Sequence, residues 1–493
     1  MSNKKEPTPI DYNDDFQYVM TVLENSEKSL FVTGRAGTGK STLLRLFRDT
    51  SKKKVVTLAP TGIAALNIGG QTIHSFFSFP AKVLNRSKIQ PRRNKRLFKK
   101  VKTIIIDEVS MVRADMMDNI DYFLRINRED PRPFGGVQMV FFGDLFQLPP
   151  VISTEEEHEL MASQYESPYF FSAKVFKEYP FETVQLYKVY RQNNRNFIKL
   201  LDRVRMNQID YDDLETLNER CIPDVLADDF YITLATTNLI VNQLNEKRLK
   251  KLLSPEVVFT ARISGEFSGR AYPTDDILRL KDGAQVMFVK NDSKRRFVNG
   301  TIGKIISLTQ EQILVEILNE NGTVRQLEVE REEWEILKYE LNAKGEIESK
   351  VKGTFKQYPL RLAWAITIHK SQGLTFEKAI IDAEASFAHG QTYVALSRCT
   401  SLEGLVLKTP ITSNAIINDN TVSVFNQSVE ENHPDESILN ESEKEFQLNL
   451  IAELLDYQPF LYPISRLIDI FYKNRTSIKG DVIDHLQTIK DDG

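Results

Sequence analysis

The chain has 493 residues, 41% of them hydrophobic and 27% charged, with a formal net charge of −4. That length allows several domains and a large core, and the composition is that of a soluble globular protein. Two cysteines exclude a disulfide framework and a four-cysteine zinc site, and no apolar run is long enough to span a bilayer.

The opening MSNKKEPTPI lacks the apolar core of a secretion signal, so the expected location is the cytoplasm, at the nucleoid if the source is bacterial. Charge is unevenly spread. Ten Lys or Arg and no acid lie between Lys82 and Lys102, and acids outnumber bases from Glu430 onward. Such asymmetry points to nucleic acid on one face; the alternative is a solvated loop.

In chain order, residues 1–10 read as disordered and residues 11–25 as a helix. Residues 29–33 are an apolar strand, followed by GRAGTGKS, Gly34 to Ser41, and a helical pattern from Thr42. This is a phosphate loop in the context it needs, strand before and helix after. Its backbone at Gly34, Arg35, Ala36, Gly37, Thr38, Gly39 and into Thr42 can turn N–H groups onto phosphate oxygens, and the helix N-terminus adds partial positive charge. Lys40 is placed for the β- and γ-phosphates, and the Ser41 hydroxyl for Mg²⁺.

A second strand, 54–59, ends in Pro-Thr-Gly and leads to a helix at 63–68, a Gly-Gly turn and the aromatic QTIHSFFSF. After the basic run comes strand 103–108, Thr-Ile-Ile-Ile-Asp-Glu. Here Asp107 is expected to hold Mg²⁺ and Glu108 to polarise the attacking water. Strand 137–144 is followed by Gly143-Asp-Leu-Phe-Gln-Leu-Pro-Pro150, where Gln147 can orient that water. Short β-branched strands alternating with helices predict a parallel sheet covered on both faces.

A second α/β region begins near Phe181, with strands at 183–186 and 231–235, and resumes at 363–369, 378–382 and 404–408. Between about 255 and 355, Gly turns separate short alternating runs, the texture of a small all-β barrel inserted into an α/β domain. Arg191 and Arg398 in this region are candidates to neutralise charge on the transferring phosphoryl group. On the nucleic-acid side, Thr61 and Gly62 can hold backbone phosphates, and His74, Phe76 and Phe77 offer faces for base stacking. The alternative for each Phe is the protein core. His369 ends a strand with no second His or Cys at metal-ligand spacing.

Seven segments in order then carry a resemblance: GRAGTGKS, APTGIAALNIGGQTIHSFF, IIIDEVSM, GDLFQLPPV, YRQ, AITIHKSQGLTF and VALSRC. The chain resembles the Pif-one family of DNA helicases, superfamily one, 5′-to-3′ branch, with RecD and phage Dda helicases as relatives. The likeness runs from about residue 11 to about 410.

The resemblance implies an α/β fold of two RecA-like domains with parallel sheets, 1–78 with 103–182 and 183–254 with 356–429. It also implies a basic wedge insertion at 79–102, an SH3-like barrel at 255–355, and an acidic linker with a small helical appendix at 430–493. It further implies that Gln17 reads adenine, that Gln372 and Gly373 approach the nucleotide, and that Thr61, Gly62, His74, Phe76, Phe77 and His369 lie near the DNA. The expected activity is ATP- and Mg²⁺-dependent, a monomer translocating on single-stranded DNA and opening duplex junctions, with quadruplex DNA as a further substrate. Two alternatives stay open: an ATP-driven remodeller that does not unwind, and a nucleotide-switched DNA-binding protein with little turnover.

Overall fold

The computed structural model describes residues 12–80, 82–192, 194–223, 230–267, 269–292, 294–318, 323–382, 390–417, 419–431, 444, 446–448, 450–452, 454–455, 458–474 and 481–492. The stretches read as a disordered start and as most of the acidic linker lie outside these residues. The chain forms a large unit, Met1–Met20 with Lys28–Pro434, and a small one, Thr21–Glu27 with Asp435–Gly493. In the small unit, helices Gln458–Lys473 and Val482–Asp492 pack on each other.

In chain order the elements are α1 (Asp14–Asn25), β1 (Leu30–Gly34), α2 (Lys40–Thr50), β2 (Val55–Ala59), α3 (Gly62–Ile68), β3 (Gln71–Thr72) and α4 (Ile73–Phe77). They continue with α5 (Arg96–Lys100), β4 (Thr103–Ile106), α6 (Ala114–Arg128), β5 (Gln138–Phe142) and β6 (Glu182–Leu186). The six strands make one sheet in the order β3-β2-β4-β5-β1-β6, every pairing parallel. β1, β4 and β5 are buried along their whole length, as near-continuous apolar strands must be when helices cover both faces. Because all strands run the same way, the phosphate loop, Asp107-Glu108, the 143–147 loop and the segment after Leu186 emerge from one edge of the sheet.

One assignment is corrected. The strand at 183–186, read as the start of the second half, is the edge of the first sheet, where Val184 pairs with Val32 and Leu186 with Gly34. Its pairing with β1 completes the first sheet beside the phosphate loop.

The second parallel sheet opens with β7 (Ile232–Ala235). The antiparallel insertion follows: β8 (Val257–Thr260), β9 (Arg262–Gly265), β10 (Ile277–Leu280), β11 (Gln285–Phe288), β12 (Ile302–Leu308), β13 (Ile313–Leu318), β14 (Val324–Val329), β15 (Glu332–Leu341), β16 (Ile347–Gln357) and β17 (Leu360–Leu362). The sheet then resumes with β18 (Ala365–Thr367), β19 (Ala379–Ile381) and β20 (Leu405–Leu407), in the order β18-β7-β19-β20.

The insertion divides in two. The sheet β14-β13-β12-β11-β17 and the β10–β8 pair surround their own core of Phe259, Leu280, Val286, Phe288, Ile305, Val315 and Ile317. The long β15–β16 hairpin joins β9 in a separate three-stranded sheet and reaches back to the first lobe. There the Tyr339 hydroxyl lies 3.2 Å from the Thr57 backbone N–H, which donates to it, and 2.9 Å from the Thr57 hydroxyl. The hairpin's turn, Asn342-Ala-Lys-Gly345, ends on a glycine with positive φ.

The basic segment is anchored on α6. The Arg92 guanidinium donates to Phe77 O at 2.7 Å and its backbone N–H to Asn127 Oδ1 at 2.7 Å. Lys95 and Lys99 donate to Glu129 and hold its carboxyl at about 2.

Candidate nucleotide and nucleic-acid site

The phosphate loop is gripped at three consecutive residues by segments that follow the first sheet. The Arg35 guanidinium pairs with Asp202 on helix Arg195–Met206 at 2.7 Å. The Ala36 N–H donates to the Tyr393 hydroxyl at 3.1 Å, and the Tyr190 N–H donates to Gly37 O at 2.8 Å. Gly37 has φ +85°, and any Cβ there would lie 2.5 Å from the Arg191 Cβ. Only glycine fits both the backbone and the close approach.

Lys40 turns onto its own loop, donating to Gly34 O at 2.6 Å and Arg35 O at 2.9 Å. Burial lowers its pKa, against the opposing pull of Asp144 and Glu108. Ser41 and Thr42 are exposed at the start of α2. Burial raises the Asp107 pKa to about 6. Burial and the neighbouring Asp107 raise that of Glu108 to about 7. Glu108 has φ +50°, an unusual conformation for a side chain of its size.

Two side chains from β5 onward stand beside them. Gln147 donates to Asp144 Oδ2 at 3.1 Å, and Asp144 pairs with Arg205 at 3.1 Å with both side chains buried. Burial alone would raise the Asp144 pKa; Arg205 and Lys40 outweigh it and hold it below the ordinary value.

From the second lobe, the Gln372 amide donates to Glu108 Oε2 at 2.9 Å and approaches Gln147 Oε1 at 3.4 Å. Arg191 donates to Ser397 O and Gly373 O. Arg398, 1% exposed, donates from Nε to Val394 O at 2.9 Å, and burial with Arg191 beside it lowers its pKa to about 9. Gln17 is exposed on α1, one residue beyond Phe16, whose ring stands against Gly39.

The expected DNA-side residues divide. Thr61 caps α3, accepting from the Ala64 N–H at 3.2 Å, and Gly62 faces Ala271 of the insertion. Gly62 lines a cleft of about 480 Å³ together with Gln71, Phe267, Ile336 and Lys352. His369 is exposed at the end of β18. His74 is partly buried, and burial followed by Arg113 lowers its pKa.

Phe76 and Phe77 are a correction. They are 7% and 0% exposed, packed edge to face on each other, with Phe77 stacked on Phe79 and against Phe123. On the short α4 both rings turn inward, and the sheet edge supplies an apolar bed that outweighs any exposed stacking role.

Three participants escaped the sequence reading. Asp144 stood inside a quoted segment and could have been weighed as a carboxylate at a strand end. Arg205 and Tyr393 carry no local signal, because each is recruited by a partner far away in the chain.

Among the described residues no cluster of three or more His, Cys, Asp or Glu could hold a metal by itself. The oxygen donors Ser41 and Asp107 nonetheless suit a hard cation completed by phosphate and water, and a buried carboxylate with a raised pKa is one that a cation would relieve.

Fold and site together define a phosphate-loop NTPase built from two RecA-like lobes that meet at the nucleotide position. The model of the family described as PIF1-like helicase matches residues 13–214. An ATP-dependent DNA helicase Pif1 from Bdellovibrio bacteriovorus is 35% identical over 396 residues, 78% of this chain and 85% of its own. A Pif1 from Bacteroides sp, solved with ADP-AlF4, superposes with a TM-score of 0.79 at 39% identity, covering 85% of this chain and 97% of its own. A Bacteroides Pif1 bound to single-stranded DNA gives 0.61 at 39% identity, over 84% and 96%. The chain belongs to the PIF1-like helicase family.

Proposed function

We propose that this protein is an ATP-driven motor that steps 5′ to 3′ along single-stranded DNA and opens duplex ahead of it. The observation that carries the reading is the meeting of two lobes at one phosphate loop, with Gln372, Arg191 and Arg398 around Lys40, Glu108 and Gln147. The helicase names of the relatives and the DNA-bound Bacteroides structure support it.

When ATP binds, Lys40 exchanges the Gly34 and Arg35 carbonyls for the β- and γ-phosphates. Ser41 and Asp107 would hold Mg²⁺, which would screen the phosphate charge. The Glu108 carboxylate takes the proton of the attacking water, and Gln147 orients that water. Arg191 and Arg398 offset charge on the transferring group. Loss of that group removes what both lobes hold, and the cleft opens. The Thr61–Gly62 and His74 side and the His369 side grip the strand alternately. The protein acts as a monomer at single-strand/duplex junctions, with quadruplex DNA as a further substrate.

The test is strand displacement on duplexes carrying either a 5′ or a 3′ single-stranded tail, with ATP turnover followed in parallel. Opening of only the 5′-tailed substrate is expected. DNA-stimulated turnover without opening would assign a remodeller, and turnover stimulated by only a few per cent would assign a nucleotide-switched binder.

A further inference from the structure

One short helix, Gln391–Leu396, touches the first lobe at two places and carries the segment that ends in Arg398. Its cap, Gly390, lies so close to the Gln147 and Phe146 carbonyls that a Cβ would collide with both. One turn on, the Tyr393 hydroxyl accepts the Ala36 N–H at 3.1 Å. The next turn brings Arg398, which is tied back by its Nε to Val394 O and by Nη2 to the Ser397 hydroxyl at 3.0 Å. A rigid path of a few residues thus joins the second lobe's arginine to the phosphate loop.

We propose that Tyr393 is a positioning residue for ATP hydrolysis: its hydroxyl couples the shape of the phosphate loop to the placement of Arg398. The inference rests on Arg398 acting at the transferring phosphoryl group, as proposed above. Lys40 holds the Gly34 and Arg35 carbonyls in this structure, immediately before the amide that Tyr393 accepts. When Lys40 moves to phosphate, the backbone at 34–36 is released on one side while the Tyr393 hydroxyl keeps it fixed on the other. Movement of the loop is then passed to the 391–396 helix rather than dissipated. Burial keeps the phenol neutral, with its pKa pushed up to about 12, so the link persists across the working pH range.

Tyr393 does not stand among the groups placed on the phosphates, so its loss should leave nucleotide affinity in place. Tyr393→Phe keeps the ring and removes the hydroxyl. The expected result is a fall of about tenfold in kcat for DNA-stimulated ATP hydrolysis with KM for ATP and ADP affinity changed less than about twofold. In an Arg398→Ala background, the same substitution should cost nothing more, because the arginine it positions is gone.

Wild-type kcat for Tyr393→Phe, or an equal fall in both backgrounds, would overturn the proposal. So would a fall in kcat tracked entirely by a rise in KM. Thermal melting of the nucleotide-free variants separates positioning from a merely structural role, which would lower the melting temperature without a selective loss of kcat. Normal hydrolysis by Arg398→Ala alone would instead defeat the assignment of Arg398, an outcome distinguishable from failure of the Tyr393 link.

Discussion

The Gln372 side chain donates to the Glu108 carboxylate at 2.9 Å, joining the candidate general base of one lobe to the other lobe. A half-buried base in a positive-φ conformation and held from across the cleft would be oriented by the lobes coming together. On the proposed mechanism this contact ties hydrolysis to closure. Glu108→Gln should bind ATP yet lower kcat by ~10²–10⁴. Single-turnover hydrolysis beside nucleotide binding checks this; turnover near the wild-type rate would reject the role.

Gln372→Leu tests the other end of the contact. It should weaken the dependence of hydrolysis on lobe closure and lower DNA-stimulated kcat by roughly tenfold while DNA affinity without nucleotide stays unchanged. The informative comparison is ATP turnover with and without single-stranded DNA.

Lys40→Ala should abolish hydrolysis and unwinding and retain DNA affinity in the absence of nucleotide, because its ammonium is held by the carbonyls of its own loop. Fluorescence anisotropy with a single-stranded oligonucleotide, run beside an ATPase assay, reads both. A parallel loss of DNA binding would mean the loop and the DNA surface are not separable.

The buried Asp144–Arg205 pair sets a stability prediction. Asp144→Asn leaves the Arg205 charge buried without its counter-ion and should cost about 3–5 kcal/mol by denaturant unfolding. The sign with pH follows from the lowered pKa of folded Asp144. The pair's contribution is full above the unfolded value near ~4 and is lost as pH falls through the folded one. The Asn variant should lose that part of the acid sensitivity.

Phe77→Ala separates core from stacking surface. A fully buried ring in an aromatic cluster should cost about 3–5 kcal/mol of stability. Reduced DNA affinity with unchanged melting would restore the stacking role.

The meeting of the candidate nucleotide-site segments was legible because each is a contiguous run of residues. Gly34–Ser41, Asp107-Glu108 and Gln147 each follow a strand whose apolar run announces it, and a parallel sheet brings such ends to one edge. The inserted antiparallel sheets were legible from Gly turns and alternation. What escaped depends on partners distant in sequence. β6 reads as a strand anywhere, and only pairing with β1 assigns it to the first sheet. Tyr393, Arg205 and the Tyr339 contact with Thr57 involve residues brought together by the fold alone. Phe76 and Phe77 look the same on paper whether a base or a neighbouring Phe covers them.

The placement of the insertion inside the second lobe has a consequence for biosynthesis. β7 ends at Ala235, and its neighbours β18 and β19 begin at Ala365 and Ala379. At ~5–20 residues per second, a ribosome takes several seconds or more to deliver them. All six strands of the first lobe have been made by Leu186, whereas β7 emerges as a lone apolar strand with no neighbour to shield it. During synthesis the β7 edges therefore stay unpaired until β18 and β19 have been made.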